Sequence, residues 1–104
     1  MMKTGIRVLI TFLGVLAAQL VMAHTLLMSV NFIDSDQIEV EGAFSTGGPT
    51  PGVEMRLEAA NGRVIETKKA NEHGIATFVV PDEPYYIILD AGQGHLIEEE
   101  GPMK

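Results

Sequence analysis

From residue 51 to residue 95 the chain is a series of apolar runs separated by turn signals: Asn61 and Gly62, residues 71–74, residues 81–84, and residues 92–94. Val53, Met55, Leu57 and Ala59 alternate with Glu54, Arg56 and Glu58. A period of two is the mark of a strand with one face buried and the other wet. The same alternation appears earlier. Leu26, Met28, Val30 and Phe32 share one face of a strand over residues 25–33, with Leu27, Ser29, Asn31 and Ile33 on the other. Ile38, Val40, Gly42 and Phe44 share a face of a second strand over 37–45. Short strands separated by regular turns predict a sandwich or small barrel.

Local chemistry sets the remaining boundaries. Asp34, Ser35 and Asp36 form a polar turn whose side chains can bond nearby backbone. Residues 46–52 (TGGPTPG) form a loop, since prolines and glycines cannot hold a ladder. The third strand is expected over 53–60. Asn61 and Gly62 then give a two-residue hairpin with positive φ at both positions. The fourth strand, 63–69, is the most charged and reads as an edge, where lysines discourage pairing with other chains. The fifth, 75–80, and sixth, 85–91, are apolar on both faces and are expected to be central. A short seventh strand follows from His95 to Glu98, and residues 99–104 read as an acidic tail. The expected architecture is therefore all-β: one antiparallel, immunoglobulin-like or transthyretin-like sandwich of about seven strands over residues 24–98.

Residues 1–23 have a different character. Lys3 and Arg7 precede an apolar run over residues 8–21, and Val21, Met22 and Ala23 end in a small residue. This is the pattern of a cleaved secretory signal peptide. The alternative is an uncleaved anchor helix, for which the run is short against the roughly 20 residues a spanning helix needs. Cleavage after Ala23 leaves an 81-residue chain with no membrane-inserted segment, placed in the periplasm or secreted.

Processing also sharpens the charge. The full chain carries 7 Lys+Arg against 14 Asp+Glu; losing Lys3 and Arg7 leaves 5 against 14, a net charge of −9. Such a surface repels the anionic backbone of nucleic acid and attracts cations. The chain has no cysteine, which excludes disulfides, thiolate metal sites and a cysteine nucleophile. No serine or threonine stands in a base-and-orienter motif, so hydrolysis is unsupported and the chain is not read as an enzyme. Asp34 and Asp36 lack the closing glutamate of a calcium loop. Met28 and Met55 sit at alternating strand positions, where packing explains them.

The candidate chemistry lies in the three histidines, His24, His73 and His95. If successive strands run antiparallel, connections alternate between the two ends of the sandwich. All three histidines then fall at the end where the first strand begins. A mature chain starting at His24 would offer its α-amine, with a reference pKa near ~7.7–8.0, beside its own imidazole. Those two nitrogens chelate one metal in a ring. A third from His95 or His73 completes a T-shaped or square-planar set suited to Cu(II) or Ni(II), whereas Zn takes tetrahedral ligands. Glu72 and Asp90 are candidate oxygen ligands.

Several stretches carry a family resemblance: residues 48–57, the run His73-Gly74-Ile75-Ala76-Thr77-Phe78, and residues 86–95 ending in Gly94 and His95. Together they resemble the transthyretin-like and carboxypeptidase regulatory-like sandwich superfamily. A start at His24-Thr25-Leu26-Leu27-Met28 after a signal peptide, with the late Gly94-His95, looks like exported accessory proteins of nickel and cobalt uptake systems. That resemblance implies a nickel or cobalt ion as ligand and a membrane metal transporter as partner. Hydroxyisourate hydrolases of transthyretin fold end in Tyr-Arg-Gly-Ser, which this chain lacks. The competing expectation is a non-metal interaction or structural module of the cell envelope that presents an edge or loop to a partner.

Overall fold

The computed structural model describes residues 25–92 and 94–104. Residues 1–24, including the expected signal peptide and His24, lie outside the described residues. Seven strands follow one another: β1 (Leu26–Phe32), β2 (Gln37–Phe44), β3 (Glu54–Ala59), β4 (Val64–Lys69), β5 (Ile75–Val79), β6 (Tyr85–Asp90) and β7 (Leu96–Glu100). They form two antiparallel sheets, one ordered β1-β2-β5 and the other β4-β3-β6-β7. The fold is a small all-β sandwich.

The core follows from the alternation. Ile38, Val40, Ala76 and Phe78 from one sheet meet Met55, Leu57, Tyr85, Ile87 and Leu89 from the other, all buried. Leu26 joins them, and Met28 and Val30 pack half-buried at the rim. Each fully buried large aliphatic or aromatic side chain contributes about 1.5–3 kcal/mol. A chain without disulfides depends on that packing.

Strand roles differ from expectation at one place. β6 is central and β4 is an edge, but β5 is an edge rather than a central strand. Its apolar residues are split between faces. Ala76 and Phe78 are buried, while Val79 is 57% exposed and points outward with Thr77. An apolar run identifies a strand more securely than it identifies a central one.

The two flanks of the sandwich differ. On one flank Lys68 of β4 lies 5.3 Å from the centre of the Phe78 ring and donates a 2.5 Å hydrogen bond to the Thr77 carbonyl of β5. This inward-leaning cation ties one sheet to the other and blocks both edges. On the other flank β1 and β7 approach each other, with Cα atoms within 8 Å.

Three of the turns share one device. In residues 44–48, 59–63 and 71–75 the fourth residue, a glycine, donates its N–H to the carbonyl of the first, and the first donates to the carbonyl of the fifth. The glycine has positive φ each time: 97° at Gly47, 88° at Gly62 and 78° at Gly74. This is a three-residue connection ending in a left-handed residue. The turn after β3 is therefore centred on Ala60 and Asn61, not on Asn61 and Gly62. Gly62 supplies the left-handed closing position, and β4 takes a register shift opposite Leu57 and Glu58.

The chain end is also more ordered than a frayed tail. β7 continues to Glu100, and the Gly101 N–H donates to the Tyr85 carbonyl at 2.8 Å.

Candidate metal site

With every pairing antiparallel, the connections alternate between ends as expected. Thr25, the 45–53 loop, the 70–74 turn and the 91–95 turn gather at the end where β1 starts. Backbone bonds stitch these segments together: Ser45 N–H to Thr25 carbonyl at 2.7 Å, Gly42 N–H to Gly74 carbonyl at 2.8 Å, and Gly52 N–H to Ala70 carbonyl at 2.9 Å.

His73 sits in the turn between β4 and β5. Its backbone N–H donates to the Asn71 side-chain oxygen at 2.8 Å, which holds the turn. Its imidazole Nε2 lies 3.4 Å from a Glu72 carboxylate oxygen, and both side chains are well exposed. His95 closes the β6–β7 hairpin. Its N–H donates to the Gly92 carbonyl at 2.9 Å, and its carbonyl accepts from Ala91 N–H at 2.8 Å. The side chain is exposed.

The two histidines share an end but not a flank. His73 follows β4, at one side of the four-stranded sheet, and His95 precedes β7, at the other. Three strand spacings of about 4.8 Å, roughly 14 Å, separate those strands. Thr25 precedes β1, the strand that lies against β7, so the first described residue stands on the His95 flank. Among the described residues, no group of three or more His, Asp or Glu side chains is placed to hold a metal ion.

The carboxylates named from sequence divide as well. Glu72 stays with His73. Asp90 is committed elsewhere: it accepts from Gly92 N–H at 2.9 Å and from Arg56 Nη1 at 3.3 Å. The backbone bond from Gly92, and then Arg56, hold its carboxyl below the usual range. Arg56 is the centre of a group that sequence reasoning did not single out. Its Nε donates to Glu58 at 2.6 Å and its Nη1 to Glu54 at 2.9 Å. The bond to Glu58 leads in raising its pKa further. The signal was visible, since Glu54, Arg56 and Glu58 share the outward face of β3; the pairing of β3 with β6 that brings Asp90 alongside was not. A shallow open cleft of about 510 Å³ lies beside this group, lined by Pro51, Gly52, Val53, Glu54, Asp90, Ala91 and Gly92. With Glu54 and Asp90 neutralised in part by Arg56, its chemistry is that of a polar surface rather than a metal cage.

Comparison with family models, with curated proteins and with solved structures finds no match for this chain.

Proposed function

We propose that this is an exported β-sandwich protein that binds one transition-metal ion, copper or nickel or cobalt, through a mature N-terminal His24 together with His95. Its role is to buffer the metal or to deliver it to an uptake system in the membrane. The observation that carries the reading is the shared corner of Thr25 and His95: the chain enters β1 on the flank where the β6–β7 hairpin presents its histidine. The α-amine and imidazole of His24 and the imidazole of His95 would supply three nitrogens, a set suited to Cu(II) or Ni(II). His73, on the opposite flank, has no part in that set. The acidic surface favours accumulation of cations near the site.

Calorimetric titration of the protein beginning at His24, beside a form retaining Met before His24, tests the reading. The retained methionine moves the α-amine to the wrong residue, so that form should bind far more weakly. Equal affinities sink the N-terminal chelate. No binding by either form transfers the case to a non-metal interaction module.

A further inference from the structure

The four sheet edges are not protected alike. β4 and β5 are blocked by Lys68, whose ammonium occupies the Thr77 carbonyl. β7 carries Glu98, Glu99 and Glu100, all exposed. β1, in contrast, has no charged residue over its length, LLMSVNF. Natural edge strands are guarded by charge, proline or bulges; β1 pairs with β2 in unbroken register and has none of these.

Among the described residues, the register also fixes which backbone groups of β1 do not pair with β2. Thr25 bonds Ser45, and Ile33 N–H donates to the Gln37 carbonyl, so the odd-numbered residues of β1 exchange hydrogen bonds with β2. The N–H and C=O groups of Met28, Val30 and Phe32 therefore face outward along the open edge. Leu27, Phe32 and Ile33 are each about half exposed beside them. β7 of the second sheet lies alongside. Of its glutamates, Glu99, opposite the core residue Ile87, is on the face turned toward β1, while Glu98 and Glu100 share the outward face with Arg56.

We propose that β1 is a docking edge for an extended segment of another protein that carries lysine or arginine among apolar residues. The segment adds as a fourth strand to the β1-β2-β5 sheet. Its backbone meets Met28, Val30 and Phe32, its apolar residues cover Leu27 and Ile33, and a cation reaches Glu99, the β7 glutamate on the face turned toward β1. Addition of a strand to an open edge draws affinity from the backbone and selectivity from alternate side chains. Charge complementarity chooses the occupant. A second copy of this chain would bring its own Glu99 toward this one, whereas a basic strand is attracted and steered. This inference is independent of the metal reading.

The probe is a capped peptide alternating lysine and valine, seven residues long, titrated into the isotope-labelled full chain in mild detergent and followed by amide resonances. Shifts should concentrate at Met28, Val30 and Phe32, and binding should weaken as salt rises. A glutamate–valine peptide should bind at least about tenfold more weakly. Glu99→Gln should weaken binding and reduce its salt dependence, while Glu98→Gln, on the outer face, should change both little. Phe32→Pro removes an outward N–H and leaves the β2 ladder intact, so a variant with unchanged unfolding midpoint should lose binding. The proposal is overturned by equal binding of the two peptides, by shifts centred away from β1, or by full binding in folded Phe32→Pro. Self-association through β1 without peptide overturns it too, since the occupant is then a second copy.

Discussion

The Tyr85 hydroxyl donates a 2.7 Å hydrogen bond to the carbonyl of Pro102. Tyr85 is buried, its own carbonyl accepts from Gly101 N–H, and Lys104 pairs with Asp82 at 2.9 Å. The last four residues are thus held by one ring, one backbone bond and one surface ion pair. A side chain at Gly101 would collide with the Tyr85 ring itself.

Two consequences can be measured. Gly101→Ala should destabilise by about 1–3 kcal/mol, the range for forcing extra volume into a packed site. Tyr85→Phe should cost about 1 kcal/mol for the lost bond. Burial raises the Tyr85 pKa above its ordinary value of 10.0. The folded state therefore favours the protonated phenol. Its contribution is complete below pH 10 and is lost as pH climbs through the higher folded value. Denaturant midpoints across the alkaline limb should fall for the wild type and fall less for Tyr85→Phe.

At the opposite end, Gly42, Gly74 and Thr50 meet at van der Waals limits. A Cβ on Gly42 would lie 2.6 Å from Thr50 Oγ1 and 2.8 Å from Leu89 Cδ2. One on Gly74 would lie 2.6 Å from the Gly42 carbonyl oxygen, at a φ of +78°. Gly42→Ala should destabilise by about 1–3 kcal/mol, and Gly74→Ala by more, because its obstruction is backbone and its φ disfavours a side chain. Thr50 Oγ1 is buried with no hydrogen-bond partner among the described residues. Thr50→Val should therefore stabilise the fold by about 1 kcal/mol, read as a higher unfolding midpoint; a clear loss would show that the hydroxyl is satisfied in solution.

These packing points mark the boundary of what the sequence discloses. Alternation over 37–44 and 54–59 is local, and it located strands, buried faces and turns because side-chain period depends only on the pleat. The edge position of β5 is non-local: nothing within 75–79 reveals that β2 alone borders it. The docking of Gly101 under Tyr85 likewise joins residues far apart in sequence. For the histidines, alternation of connections gives the end of the sandwich, but the flank requires the strand order. That is why the chain alone places His24, His73 and His95 at one end, while the strand order puts His73 and His95 on opposite flanks.

Gly62 offers a test of turn geometry. Its φ of 88° closes the connection in which Gly62 N–H donates to the Ala59 carbonyl at 2.9 Å, and a Cβ there would meet open space. Any penalty is consequently conformational rather than steric crowding by neighbours. Gly62→Val should destabilise by about 1 kcal/mol or more, and Gly62→Asn by less, since asparagine tolerates the left-handed region. Equal midpoints for the two variants would contradict this turn.

The Arg56 cluster should shape the acid limb. Asp90, held low first by the Gly92 N–H and then by Arg56, contributes stability that is complete above its ordinary value of 3.8. That contribution is lost as pH falls through the lower folded value. Asp90→Asn should flatten the dependence of the urea midpoint below about pH 4, while Glu72→Gln, on an exposed turn, should leave it unchanged. An identical acid limb in Asp90→Asn would remove the pair from the account of acid unfolding.

The metal reading makes its sharpest demand on the two described histidines, because the fold separates them. Protein beginning at His24 should bind Cu(II) or Ni(II) with release of protons, so affinity should fall with acidification. It should also melt at a higher temperature with metal present, since only the folded chain presents His95 beside the start of β1. His95→Ala should weaken binding at least about tenfold, the loss of one nitrogen ligand. His73→Ala, about 14 Å away across the sheet by strand spacing, should change it little. Glu99→Ala should also change it little, because a β7 carboxylate contributes long-range attraction rather than coordination. The His95→Ala and His73→Ala proteins, titrated side by side, separate one specific site from general attraction of cations to an acidic surface. Equal losses in the two would show that the metal is held by histidines without regard to their place in the sandwich, and the site at the β1–β7 corner would fall.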